Sequence, residues 1–268
     1  MLKSLDNKII LLTGGSGYLG EAMGSHLLDC GAYVINLGRT KPNFCDNRKS
    51  SRHYQVDFYE TRTLEHSLNE IIGEYKKIDI LVNNSFDFSE NTGFNSEKGR
   101  VKNIDKETFL RGINSGIYWT FQCSQIVGLQ MLKQNYGVII NIASLYSFLV
   151  PDSRMYEHTK IFNPVTYGVS KHGIMGLTKY LASFWGRQGV RVNALSPGTF
   201  PNNSNPKKKN SPNTVQDDLF MDMLAKKCAL NRVGVPSDLV SALEFLCSSK
   251  SRLLHGENIV IDGGWSLM

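Results

Sequence analysis

Two side chains in the stretch TYGVSKHG, Tyr167 and Lys171, stand four positions apart in a segment with helical patterning, so both fall on one helix face. A free phenol has a pKa of about 10 and is a poor base near neutral pH. An ammonium group beside it favours the phenolate and lowers that value, which turns the pair into a device for moving a proton. Two more residues fit the same chemistry by type. Ser144, in NIASLYS, offers a hydroxyl to orient a substrate oxygen, and Asn114, in FLRGINSGIYW, offers an amide to hold a water near Lys171. Each has a plain structural explanation when taken singly: a Y-x-x-x-K pair is common on helix surfaces, Asn114 can back-bond a helix carbonyl, and Ser144 can cap a turn.

The elements that must position these residues alternate from end to end. Strand-like runs fall at 8–13, 32–37, 53–57, 78–82, 137–142, 190–195 and 257–261, and helical patterns at about 18–30, 61–76, 105–134, 165–188, 215–228 and 237–248. The last opens on PSD, a helix-start signal. Such alternation predicts an α/β fold: a single domain over 1–268 with a doubly wound parallel sheet of about seven strands and helices on both faces. Residues 40–52 are too polar and Pro/Asn-broken for a good crossover helix. Segments 85–104, 145–164 and 197–228 hold long irregular stretches after strands four, five and six, on the rim where parallel sheets bind ligands, so they are expected to form the substrate site.

A glycine cluster, TGGSGYLG, follows the first strand and opens the first helix. Gly14, Gly17 and Gly20 permit a tight turn and a close ligand approach, and the helix start presents unpaired N–H groups to a pyrophosphate. Ser16, Tyr18 and Leu19 belong to the same expected dinucleotide cradle. An acid at the end of strand two would accept the ribose hydroxyls of NAD. This chain has Gly38 there, then Arg39, Thr40 and Lys41; a guanidinium suits a 2′-phosphate, which points to NADP(H) rather than NAD(H).

Bulk composition excludes other classes. The chain has 268 residues, 41% hydrophobic and 20% charged, enough for a substantial core. Its longest apolar runs are too short to span a bilayer, and MLKSLDNK carries no signal-peptide core, so no membrane role and a cytoplasmic location are expected. Five widely spaced cysteines without a CxxC read as reduced thiols. The net charge of +6 is spread along the chain apart from KKK at 207–209, which reads as a solvated loop rather than a nucleic-acid patch. His26, His158 and His172 lack metal-ligand spacing, and no metal is expected.

Taken in order, these motifs resemble the classical short-chain dehydrogenase/reductase family over essentially the whole chain. The match runs through TGGSGYLG, Asp57 after strand three, NNS at 83–85, Asn114, Ser144, Tyr167, Lys171, SPG at 196–198 and the closing IDGGW. The resemblance implies a Rossmann-type domain, a catalytic Asn114–Ser144–Tyr167–Lys171 set with Tyr167 as general acid/base, and frequent dimers or tetramers. It also implies cofactor contacts from Asp57 to the adenine, from Lys171 to the nicotinamide ribose, and from Asn83, Tyr167, Pro197, Gly198 and Thr199. Two departures stand out. The glycine that the family usually carries two residues before Gly20 is here Tyr18, a spacing closer to the extended branch of sugar-nucleotide epimerases and dehydratases. The segment between Ser144 and Tyr167, with PDSRMYEHTKIFNP, is longer than usual.

That insertion, with NPV leading into the catalytic helix, resembles a subset found with surface-polysaccharide and flagellin-glycan genes. Arg154 and Lys160 could clamp a phosphate or carboxylate, and Tyr156 could stack on a sugar or base. The expected function is an NADP-dependent alcohol–ketone interconversion on a sugar or sugar derivative, neutral or anionic. The alternatives are an epimerase or dehydratase that retains its nicotinamide, and a non-catalytic dinucleotide sensor.

Overall fold

The computed structural model describes residues 3–46, 48–156, 162–202 and 218–268. Seven strands, β1 (Ile9–Thr13), β2 (Tyr33–Gly38), β3 (Ser51–Gln55), β4 (Ile80–Asn83), β5 (Gly137–Ile142), β6 (Val190–Pro197) and β7 (Asn258–Ile261), form one sheet in the order β3-β2-β1-β4-β5-β6-β7. Every pairing is parallel. The helices are α1 (Tyr18–Asp29), α2 (Thr61–Tyr75), α3 (Lys106–Ile113), α4 (Trp119–Gln134), α5 (Val165–Trp185), α6 (Asp218–Lys226) and α7 (Pro236–Cys247).

The strand sequences explain the sandwich. β4 and β5 are buried along their whole length, as strands covered on both faces must be. Alternate residues of β1 then feed two cores: Ile10 and Leu12 pack with Met23 and Leu27 of α1 and Leu239 and Leu243 of α7, while Leu11 packs with Leu64, Leu68 and Ile71 of α2 and Val127 and Met131 of α4. The chain reverses its winding between β1 and β4, and this switch point opens the crevice that such sheets use for ligands.

Several expectations are refined. The 40–52 segment holds only one short 3₁₀ turn, Asn43–Cys45. The helix expected over 105–134 is interrupted by a π-helical turn at Asn114–Tyr118, where one extra residue per turn re-aims the chain. Of the 215–228 helix, Asp218–Lys226 is described, and the lysine run at 207–209 lies outside the described residues. PSD does start α7: Pro236 takes the first helical position, and the Asp238 carboxylate accepts the Val235 N–H at 2.9 Å. All five cysteines are buried and free. No helix among the described residues is long and apolar enough to cross a membrane.

Candidate active site

The glycine loop is shaped by contacts that only glycine allows. Gly14 has φ +67°, and a Cβ on Gly20 would lie 2.3 Å from the Gly14 carbonyl oxygen. Gly15 is equally constrained, since its N–H donates to Asn36 Oδ1 at 2.7 Å and a Cβ would strike that oxygen. Gly17 carries no such demand: its Cβ would meet ordinary contact at 3.5 Å. The tight positions are therefore 14, 15 and 20, and Gly17 serves as the N-cap of α1, with no side-chain hydrogen bond closing the helix start. The first-turn N–H groups stay open toward the crevice.

From this loop a cleft of about 610 Å³ runs along the carboxyl ends of the strands, within the ~300–1,000 Å³ range of ligand sites. Gly14, Ser16, Gly17, Tyr18, Leu19 and Gly20 form one end. Arg39 and Thr40 stand beside it at the end of β2, both exposed, while Lys41 is drawn off to Asp46 at 2.7 Å. Ser144, Tyr167, Lys171, Pro197 and Gly198 line the other end.

There the polar groups converge. Tyr167 and Lys171 share a face of α5, and the Lys171 ammonium lies 5.7 Å from the Tyr167 ring centre. Lys171 is 6% exposed and donates to the Ile142 carbonyl at 2.9 Å. Burial away from water lowers its pKa to about 8, so it remains mostly protonated at neutral pH. Ser144 lies two residues past the end of β5, and its Oγ accepts the Tyr146 N–H at 3.2 Å. Asn114 opens the π turn and is not among the lining residues of the cleft; its Oδ1 is buried and without a hydrogen-bond partner, an acceptor suited to a water.

A polar seam sits one layer beneath. Asn83 Nδ2 donates to Ser124 Oγ and to Asn141 Oδ1, each at 2.9 Å; Asn141 Nδ2 then donates to Thr178 Oγ1 at 2.9 Å. It ties β4 and β5 to α4 and α5, the elements around the reacting end.

Some expected residues lie elsewhere. Asn83 turns its side chain into that seam, and its neighbour Asn84 lines the cleft instead, donating to the Gly14 carbonyl at 3.0 Å. The exposed Asp57 accepts the Tyr59 N–H at 3.0 Å and is not among the lining residues of the cleft. Thr199 lines a separate hollow of about 200 Å³ with Arg232 and Asp238. Arg154 stands outside the cleft, 82% exposed at its side chain, with its guanidinium on both oxygens of Asp152 at 2.9 Å. Lys160 and His158 lie outside the described residues, as does the side chain of Tyr156.

Sequence reasoning missed the aromatic wall. Phe86 and Phe94 stand edge-on to the Tyr167 ring at 5.1 and 5.2 Å, with Phe88 at 6.0 Å. The signal was present in NNSFDF, directly after the switch-point strand β4.

The cleft suits a dinucleotide, with a glycine turn whose backbone a Cβ on Gly20 would strike at one end and the Tyr167–Lys171 pair at the other. Fold and site together define an NAD(P)-dependent dehydrogenase acting on a CH–OH group. The family model described as Enoyl-(Acyl carrier protein) reductase matches residues 19–266, and the chain belongs to that family, within the short-chain dehydrogenase/reductases.

Its relatives carry varied names. The chain is 30% identical over 274 residues to a 7alpha-hydroxysteroid dehydrogenase of Bacteroides fragilis, covering 99% of this chain and 97% of the relative. It is 28% identical to a 2-dehydro-3-deoxy-D-gluconate 5-dehydrogenase of Bacillus subtilis, over 98% and 96% of the two chains. Post-translational flagellin modification protein A of Campylobacter coli is 27% identical over 98% and 100%. Among solved structures, a short chain dehydrogenase from Leptospira borgpetersenii with bound NAD+ is similar at TM-score 0.82 and 29% identity, over 98% and 94% of the chains. A gluconate 5-dehydrogenase from Burkholderia cenocepacia in complex with NADP and tartrate gives TM-score 0.82 and 25% identity over 98% and 97%.

Proposed function

We propose that the protein is an NADP-dependent oxidoreductase that interconverts an alcohol and a ketone on a sugar or sugar derivative, in glycan biosynthesis or carbohydrate metabolism. The observation that carries the cofactor choice is Arg39 at the cleft mouth beside Gly38, a cation where an acid would select NAD. The sugar assignment draws on the gluconate-type and flagellin-modification relatives.

When bound, the nicotinamide supplies or accepts the hydride. The chain's residues do the rest in this reading. Ser144 and Tyr167 hold the substrate oxygen, and Tyr167 gives or takes its proton. Lys171 stabilises the phenolate, and Asn114 keeps a water that connects the site to bulk protons. Loop residues Phe86, Phe88, Phe200 and Asn202 face the substrate from segments 85–104 and 197–228.

Self-association belongs to the same proposal. Tyr180 and Phe184 stack at 4.4 Å on α5 and are each 59% exposed, a face suited to a second copy in a dimer or tetramer. So does a cytoplasmic location, with which free cysteines accord.

The test is a panel of polyols, aldoses and keto sugar acids with NADP(H) and NAD(H), followed by nicotinamide absorbance. Net turnover on a carbohydrate with NADP(H) is expected. Sugar conversion without net nicotinamide change identifies an epimerase or dehydratase. Tight NADPH binding with no conversion identifies a sensor.

A further inference from the structure

On the far side of α1 from the glycine loop, three metal-binding side chains meet. His26 and Cys30 stand one helical turn apart at the carboxyl end of α1, and Glu244 reaches them from α7. His26 Nε2 lies 2.9 Å from Glu244 Oε2, and all three donor atoms fall within 4.8 Å of one another. Cys30 is 9% exposed, while the His26 and Glu244 side chains are 28% and 25% exposed, which leaves the cluster reachable from solvent.

We propose that His26, Cys30 and Glu244 form a structural Zn²⁺ site that staples α1 to α7. Thiolate, imidazole and carboxylate are the donors zinc prefers, and a water completes the tetrahedron. With Zn–ligand bonds of about 2.0–2.3 Å, tetrahedral donors sit about 3.3–3.7 Å apart. The cluster reaches that spacing by opening the His26–Glu244 pair about half an ångström and drawing the widest pair in by about one, both within side-chain rotation. Zn²⁺ binds at Nε2 of the neutral His26 imidazole, whose single N–H then sits on Nδ1, and the Cys30 thiol releases its proton to solvent. One thiolate and one carboxylate then balance the two charges of Zn²⁺. Histidine spacing along the chain could not show this site, because its other donors are a cysteine and a residue 218 positions away. The site also lies about 12–18 Å along α1 from the pyrophosphate cradle, 8 to 12 residues at about 1.5 Å each, so its role is structural.

The experiment titrates the reduced, chelator-treated full chain with Zn²⁺, and with Co²⁺ as a spectroscopic probe. One equivalent is expected to bind, with a thiolate-to-cobalt charge-transfer band, tetrahedral visible bands and a raised Tm. Cys30→Ser and His26→Gln should each weaken binding at least as much as loss of an outer-shell partner, about 10–100-fold, with Cys45→Ser as the unaffected control. His26→Gln keeps a hydrogen bond to Glu244, so it serves if Cys30→Ser does not fold. A Co²⁺ spectrum without the thiolate band, or unchanged affinity in both variants, overturns the proposal. Because the readout is metal binding, it stands apart from the dehydrogenase assays.

Discussion

The Lys171 ammonium donates to the Ile142 carbonyl oxygen at 2.9 Å, so a buried cation on α5 is anchored to the last residue of β5. Ser144 lies two residues beyond that anchor. The hydrogen bond thus fixes the distance between the helix that carries Tyr167 and the strand end that carries the serine.

Removing that charge should stabilise the protein without ligand. Burial lowers the Lys171 pKa from 10.5 to about 8, so protonating it at pH 7 opposes folding by roughly 3 kcal/mol, partly offset by its bond to Ile142. Between pH 8 and 10.5 the unfolded chain holds this proton and the native chain does not, so native stability rises with pH across that window. Lys171→Met should raise stability by about 1–3 kcal/mol at pH 7, with the gain shrinking toward pH 10, and should abolish turnover. Denaturant melts at several pH values check this; a variant less stable at pH 7 contradicts it.

Tyr167→Phe keeps the ring among Phe86, Phe88 and Phe94 and removes only the hydroxyl. NADPH affinity should be nearly unchanged, while kcat falls about 10²–10⁴-fold. Retention of near wild-type kcat would reassign the proton donor.

Arg39→Ala should weaken NADPH binding about 10–100-fold, the effect of about 1.5–3 kcal/mol from a charge-assisted hydrogen bond. NADH should lose little. Paired titrations decide, and equal losses for both nucleotides remove the basis for choosing NADP.

Gly20→Ala places a methyl 2.3 Å from the Gly14 carbonyl, a backbone atom that cannot swing aside. A stability loss of about 1–3 kcal/mol and a weaker dinucleotide affinity are expected. Gly17→Ala, with its nearest contact at 3.5 Å, should be much milder in melting temperature. Equal shifts for the two variants argue against the steric account.

The contrast between Gly17 and Gly20 also marks where sequence reading succeeds. Strand–helix alternation carried the fold because it records burial on both faces of a parallel sheet. The Tyr167–Lys171 pair was legible because helix periodicity alone puts both on one face. Gly15 was not, since its constraint comes from Asn36 on a neighbouring strand. Nor was the choice between Asn83 and Asn84, because the last residue of β4 faces the interior and the next faces the crevice, and a one-residue difference decides it. The π turn at Asn114 escaped because its residues are compatible with an ordinary helix. Arg154 pairs with Asp152, two positions away, a local contact that the sequence reading did not weigh.

The asparagine seam through Asn83, Asn141 and Thr178 has a consequence for how the enzyme can change. Apolar side chains of the same bulk would fill that layer while letting α5 slide along β5, because dispersion has no preferred direction. Hydrogen bonds do have one, so tolerances at the reacting end are inherited from amides that lie outside the cleft lining. These interior amides are therefore the positions where a change of side chain would disturb the alignment of α5 with β5.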